Sequence, residues 1–428
     1  MMKKRVSAAP ILLLCLLTLT LLMSIEGRTK TGQPSPLNQA QPQIAIRCGR
    51  LIDGKGGEAV ANAVVLITGD RITAVGPNVR IPAGAQVIDL SRATVLPGLI
   101  DTHTHLTYHY DTERNEKPTV TAIYAADNAR RTIEAGFTTV RNLGATGAVD
   151  FDLRKAIDRG ASPGPRIITS GAALSQLPNS GAQASDGANG SRVDRVREFA
   201  QRQIAAGADV LKVFATPGAG GGDTLLFSEE EIKALVEEGA KTHLHVAAHA
   251  HATAGIKAAV RAGVASIEHG SRLDDEAIKL MIEHHTALVP TLYLPNHYLG
   301  HKEKFSFDQA RWQALEELKT QSVNNFRKAL AAGAWIVMGS DAVAGLHGEN
   351  AKEITAMVKA GMTPAQAIRA TTADAAQLLG WQDRVGTIEP GKFADIIAVS
   401  GDPLREITVL EKVSFVMKGG QVVKQERF

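Results

Sequence analysis

Leu99-Ile100-Asp101-Thr102-His103-Thr104-His105 is a short apolar run that closes on two histidines spaced two residues apart. Side chains alternate along an extended chain, so both imidazoles face the same side of a strand that begins at Leu99. Runs of similar length recur downstream, at Thr138–Asn142, Arg166–Ser170, Val210–Phe214, His245–His249, Ala265–His269, Ala287–Leu292 and Trp335–Asp341. Longer helical patterns separate them, and that alternation predicts repeated βαβ units with a parallel sheet. Counted with the first, these are the eight strands that close a TIM barrel, so the fold class is α/β with a (β/α)8 barrel.

In such barrels the reactive groups sit at the C-terminal ends of the strands. Here the first strand ends in His103 and His105, the fourth presents Lys212, the fifth and sixth end in His249 and His269, and the eighth ends in Asp341. A lone histidine is an ordinary core or surface residue. Imidazoles and a carboxylate gathered at one end of a barrel instead suit zinc or a similar divalent ion, which takes nitrogen and oxygen donors. Four of the helices end in Ala-Gly before the next strand, at Gly136, Gly207, Gly263 and Gly333, where glycine supplies a left-handed cap. Ser228 followed by three glutamates reads as a capped, solvated helix start.

Outside the barrel, short strand patterns at Val64–Thr68, Ile72–Val75 and Gln86–Asp89 are split by turn residues. The far end repeats this at Ala394–Val399 and Val413–Lys418, with Gly419-Gly420 as a hairpin turn before Gln421–Lys424. Residues 44–95 and 385–428 are therefore expected to pair into one small β-sandwich-like domain, leaving 96–384 for the barrel. Residues 28–43 are polar and rich in Gln, Pro, Thr and Ser, as in a linker.

Residues 1–27 open with Met-Met-Lys-Lys-Arg and continue into an apolar run from Ala8 to Ile25, the arrangement of a signal peptide or a membrane anchor. An exported protein, periplasmic or extracellular, is the expectation. The 428 residues are 44% hydrophobic, enough for a large core. A formal charge of +3 from nearly balanced acids and bases argues against nucleic acid and for a small-molecule or short-peptide substrate. Of the two cysteines only Cys48 lies beyond the leader, which excludes an intramolecular disulfide and a Cys-rich zinc site in the processed chain.

Pro97-Gly-Leu-Ile-Asp-Thr-His-Thr-His105, Ile267-Glu-His-Gly270, Gly339-Ser-Asp-Ala342 and Gly386–Asp395 together resemble the amidohydrolase superfamily, over a span from about Ile44 to the C-terminus. Within it the chain is most similar to the Xaa-Pro dipeptidase and imidazolonepropionase-related branch, which also holds carboxypeptidase-like and ochratoxin-hydrolysing amidases. The resemblance implies two divalent metal ions, with Lys212 carboxylated and bridging them. It also implies that His103, His105 and Asp341 hold the more buried ion and His249 and His269 the more exposed one. Asp341 would take a proton from the attacking water and deliver it to the leaving nitrogen. Barrels of this branch are often homo-oligomers, so a homo-oligomer is implied as well.

Substrate selection is less legible. His251 shares its strand face with His249, Tyr293 follows the seventh strand, and His347 sits in the loop after Asp341; each is a candidate to bind substrate or stabilise an oxyanion. Arg141 ends the second strand, as a substrate-binding cation or as a salt-bridge partner inside the barrel. The Pro295–Ser306 loop and an amphipathic helix from Phe307 to Leu330 are candidates for a lid, with His297 and His301 read as surface residues. Relatives carry Gly-Gly-His after the third strand where this chain has Asn179–Ser185, which puts proline-specific dipeptidase activity in doubt. Gly218–Gly222 reads as an active-site loop, since it lacks the ending of a phosphate loop. The functional expectation is hydrolysis of the C–N bond of small peptides or N-acyl amino acids. The alternatives are a cyclic amide or lactone hydrolase and, more remotely, a non-catalytic binding protein.

Overall fold

The structure is a computed structural model and describes residues 43–108, 117–145, 147–177, 190–218 and 222–427. The leader, nearly all of the linker, Asn179–Ser185 and the middle of the Gly218–Gly222 loop lie outside the described residues.

The chain first lays down β1 (Gln43–Leu51), β2 (Val60–Ala61), β3 (Val64–Thr68), β4 (Arg71–Gly76) and β5 (Gln86–Pro97). It then alternates: β6 (Leu99–Thr104), α1 (Pro118–Glu134), β7 (Phe137–Asn142), α2 (Val149–Asp158), β8 (Arg166–Thr169), α3 (Arg192–Ala206), β9 (Leu211–Phe214) and α4 (Glu229–Ala240). The alternation continues with β10 (Val246–Ala250), α5 (Thr253–Ala262), β11 (Ser266–His269), α6 (Asp275–Glu283) and β12 (Ala287–Val289). Helices α7 (Leu294–Gly300), α8 (Gln309–Ala331), α9 (Ala351–Lys359), α10 (Pro364–Ala370) and α11 (Ala373–Leu378) follow, and β13 (Ile396–Val399), β14 (Val413–Lys418) and β15 (Gln421–Gln425) end the chain.

β6, β7 and β8 form one parallel group and β9 to β12 another. Backbone hydrogen bonds join them into a ring. Leu174 N–H donates to Lys212 at 2.8 Å beyond the end of β8, and Leu288 N–H donates to Trp335 at 2.8 Å, bringing in the eighth barrel segment. That segment closes on β6 through Asp341 N–H to His103 at 2.7 Å and His105 N–H to Ala342 at 3.0 Å. The fold is the (β/α)8 barrel expected, with one local difference. Trp335–Asp341 pairs through an isolated bridge at Ile336 and single hydrogen bonds, not as a regular strand, and Asp341 turns to φ 51° at its end. Gly339 lets this segment pass β6 closely, since a Cβ there would lie 2.8 Å from that of His103.

β12 is likewise shorter than the Ala287–Leu292 run, because Pro290 cannot donate to a ladder and Thr291 adopts φ 50°. The four Ala-Gly helix ends are capped as expected, with φ between 80° and 96° at Gly136, Gly207, Gly263 and Gly333. Ser228 closes a capping box with Glu231. Residues 295–306 are not an open loop: α7 and a 3₁₀ turn at Lys302–Lys304 occupy them. His297 is consequently buried, with Nε2 3.1 Å from the Ala344 carbonyl, and not at the surface.

The two ends of the chain share one sheet, ordered β15-β14-β13-β5-β1-β3-β4 with β2 beside β1. β13 runs antiparallel to the last four residues of β5, so Ile396 faces Pro97 just before the chain enters the barrel. Ile46, Val65, Ile67, Leu90, Val95, Phe415 and Met417 are buried together beneath it. No helix among the described residues is long and apolar enough to cross a membrane.

Candidate metal centre

The site lies where the barrel strands end, in a cavity of about 850 Å³ whose lining includes His103, His105, Lys212, His249, His251, His269 and Asp341. All six expected ligands are therefore brought together, along with His251. His103 Nε2 is 3.3 Å from His105 Nε2 and 3.4 Å from Asp341 Oδ1, and His105 Nε2 is 3.2 Å from the same oxygen. These three lengths match the edge of a tetrahedron around an ion with bonds of ~2.0–2.1 Å, which is ~3.3 Å. A second group, His249, His251 and His269, places its nitrogens within 4.8 Å of one another.

Protonation suits the same reading. Burial pushes the His103 imidazole down to about 4, with the positive Lys212 nearby adding to the effect. Burial also holds His249 and His269 well below the usual imidazole range. Neutral rings keep a lone pair for a cation. Burial alone would raise the Asp341 carboxyl, but His103, His105 and Lys212 hold it below its ordinary value, so it stays an anion.

Lys212 is 1% exposed, and its Nζ has no hydrogen-bond partner among the described residues. Burial moves its ammonium down to about 8. An unpaired buried ammonium is costly, so this position asks for something else in the site.

The remaining ring nitrogens are held from outside. His103 Nδ1 lies 2.8 Å from Glu268 Oε2, His269 Nδ1 lies 2.7 Å from Thr291 Oγ1, and His251 Nδ1 lies 2.9 Å from Ser271 Oγ. Such partners fix ring orientation at metal sites. Glu268 is held in turn by Arg141, which donates to it at 2.9 Å and also to Ser266 and to the Thr102 carbonyl. Burial alone would raise Glu268, yet Arg141 and His103 bring it down to about 2.

Three expected substrate residues fall elsewhere. Arg141 is buried inside the barrel beneath the cluster and does not line the cavity, so its position corresponds to the salt-bridge alternative. Tyr293 does not line it either: its ring lies 5.4 Å from Lys352 Nζ, while its neighbours Thr291 and Leu294 face the cavity. His347 is buried in the loop after the eighth segment, also away from the lining. Only His251 of these candidates reaches the cavity.

Glu268, Thr291 and Glu353 are the residues that sequence reading missed. Glu268 adjoins His269, and strand alternation would turn one of two neighbours away. The left-handed His269, at φ 74°, breaks that rule and lets both serve the site. Glu353 accepts from the backbone N–H groups of Leu292 at 2.8 Å and Tyr293 at 2.6 Å, which holds the turn that carries Thr291. A long-range contact of that kind leaves no local signal.

The Amidohydrolase family model matches residues 94–423. Ochratoxinase from Aspergillus niger is 32% identical, with 94% of each chain covered. A solved Xaa-Pro dipeptidase with methionine bound in its active site superposes with a TM-score of 0.81 at 34% identity, covering 89% of this chain and 99% of that one. Imidazolonepropionase from Streptomyces coelicolor is 26% identical, covering 79% of this chain and 85% of that one. The chain therefore belongs to the amidohydrolase family, as a metal-dependent hydrolase acting on carbon–nitrogen bonds.

Proposed function

We propose that the protein is an exported binuclear amidohydrolase that cleaves the C–N bond of small peptides or N-acyl amino acids. The observation that carries this reading is the triangle of His103 Nε2, His105 Nε2 and Asp341 Oδ1, with edges of 3.2–3.4 Å. His249 and His269 would hold a second ion, and zinc suits both donor sets. The buried Lys212 Nζ, without a hydrogen-bond partner among the described residues, supports carboxylation: the neutral amine would add to carbon dioxide with loss of a proton, and the carbamate would supply oxygen donors to the metals. Two divalent ions would acidify a water and polarise the scissile carbonyl.

The protein's own groups do the rest. Asp341, kept ionised, accepts the proton of the attacking water and returns it to the leaving nitrogen, which an amide needs because its anion is too basic to depart. His251, oriented by Ser271, faces the cavity with its other nitrogen available to a substrate oxygen. The apolar run from Ala8 to Ile25 supports export.

The test is hydrolysis of N-acyl amino acids, Xaa-Pro dipeptides and simple lactones by the zinc-loaded protein, beside Asp341→Asn. Amide turnover that falls at least ~10²-fold in the variant is the expected result. Turnover confined to lactones would replace the amide reading.

A further inference from the structure

The cavity of about 850 Å³ is walled by loops at the strand ends and, on one side, by the segment between β12 and the eighth barrel segment, folded as α7 and α8. Arg311, Leu315, Leu318 and Ser322 of α8 all line the cavity, and their spacing of four, three and four residues puts them on one stripe of the helix. The inner end of that stripe is anchored at the metal centre. Asn325 Nδ2 donates to the Ser271 carbonyl at 2.7 Å, and the Ser271 hydroxyl meets His251. The outer end is the mouth, where the Arg311 guanidinium lies 3.7 Å over the Phe307 ring.

Ser322 lies eleven positions beyond Arg311, which is roughly 16 Å of helix at ~1.5 Å per residue. Over that length the stripe offers Leu318 and Leu315, and Phe307, Tyr298 and Leu294 continue the apolar wall. Polar substrate on this surface would leave it wetted. Apolar substrate would dry it, at about 25 cal/mol for each Å² covered.

We infer that the protein selects amides carrying an extended apolar acyl group, which lies along the Leu318–Leu315–Phe307 wall from the metal centre toward the mouth. The inference rests on the amide reading above. The acyl side is favoured because Asp341, which serves the leaving nitrogen, packs against His103 on β6 and His105 just beyond its end. The inner end of α8 is instead tied to the residues just beyond β11, so the group on the carbonyl side meets it first.

Two substrate series test this on the zinc-loaded full chain. One varies the acyl group of N-acyl glycines from acetyl through hexanoyl and decanoyl to tetradecanoyl, and the other varies the leaving residue of N-acetyl glycine, alanine, leucine and phenylalanine. The expected result is kcat/KM rising about threefold per methylene along the acyl series, then levelling as the chain passes Phe307. Leu315→Ser and Leu318→Ser should each flatten that slope, read as the decanoyl-to-acetyl ratio within one variant. A slope on the leaving residue alone, or turnover of acetyl substrates with no slope on either side, would overturn the inference and leave the amide reading intact. If no amide turns over, the amide reading fails, and calorimetry with hexanoate, decanoate and tetradecanoate decides the wall separately. Affinity that rises with length in the wild type and flattens in Leu315→Ser supports it, and equal affinities overturn it.

Discussion

At the barrel mouth the fully buried side chains include Lys212 and Glu268, with Arg141 beneath them, whereas in the terminal sheet they are Ile46, Leu90, Phe415 and their neighbours. The mouth also holds His269, Thr291, Asp341 and Ala344 at positive φ, a conformation that costs non-glycine residues about 1–3 kcal/mol each. Both regions are tied together by backbone hydrogen bonds, as a ring of strands at the mouth and as an open sheet with β15 and β4 at its edges in the terminal region. The difference is what burial costs: in the sheet it is the source of stability, and at the mouth it opposes stability unless charges are matched. A region folded against its own electrostatics is one kept for chemistry, and the following changes are designed to break or sharpen that contrast.

The largest effect is expected for Lys212→Met. The side chains are similar in length, so the strand should survive, while metal content falls and turnover drops by about a thousandfold or more. The metal-free variant should melt a few degrees above the metal-free wild type, because a buried ammonium without a partner has been removed. A lower melting temperature in calorimetry would show that Lys212 is already satisfied where it lies.

Glu268→Gln comes next. Removing this charge leaves the Arg141 guanidinium buried without its carboxylate, at about 3–5 kcal/mol. It also loosens the hold on His103 Nδ1, for which a 10–100-fold loss in metal affinity is the usual scale. Chemical denaturation and zinc titration read the two effects separately. A stability loss with unchanged affinity would make the Arg141–Glu268 pair a structural element alone.

Phe415→Ala probes the other region. Deleting a fully buried ring should cost about 3–5 kcal/mol of stability. The kcat of the folded protein should not change, since Phe415 packs with Ile46 and Val95 beneath the terminal sheet and not at the mouth. A change in kcat beyond twofold would couple the two regions and weaken the contrast.

The same contrast explains what the sequence could convey. The strand positions of His103, His105, Lys212, His249, His269 and Asp341 follow from periodicity, and the strand ends of a barrel converge by geometry. The terminal sheet was legible for the same reason, since period-two patterns at both ends ask for partners. What stayed hidden depends on backbone departures. The left-handed residues His269 and Thr291 are not themselves glycine or asparagine, and only Gly270 beside His269 hints at either turn. Tyr293 illustrates the cost: it follows the seventh strand, but the turn at Thr291 rotates it toward Lys352 and gives its place in the lining to Leu294. Arg141 and Glu268 are 127 residues apart, so no local pattern could pair them.

The smallest effect is electrostatic and belongs to the chain segment that leads into the terminal sheet. Glu389 meets Lys55 Nζ at 2.5 Å and Lys392 Nζ at 3.0 Å, with the Thr387 hydroxyl donating to it. The hydrogen bond from Lys55 and then that from Thr387 bring its carboxyl from an ordinary 4.5 down to about 2. A depressed carboxyl contributes stability that is present above its unfolded value and is lost as the pH falls through 4.5 toward 2. Because Glu389 and Lys55 are a third to a half exposed, screening limits this to under about 1 kcal/mol. Glu389→Gln should therefore melt no more than about 2 °C below the wild type at pH 7, and the gap should close near pH 2. If the gap persisted in acid, the contribution would come from packing and not from charge. The terminal sheet would then differ from the mouth more completely, with no electrostatic contribution from Glu389 to its stability.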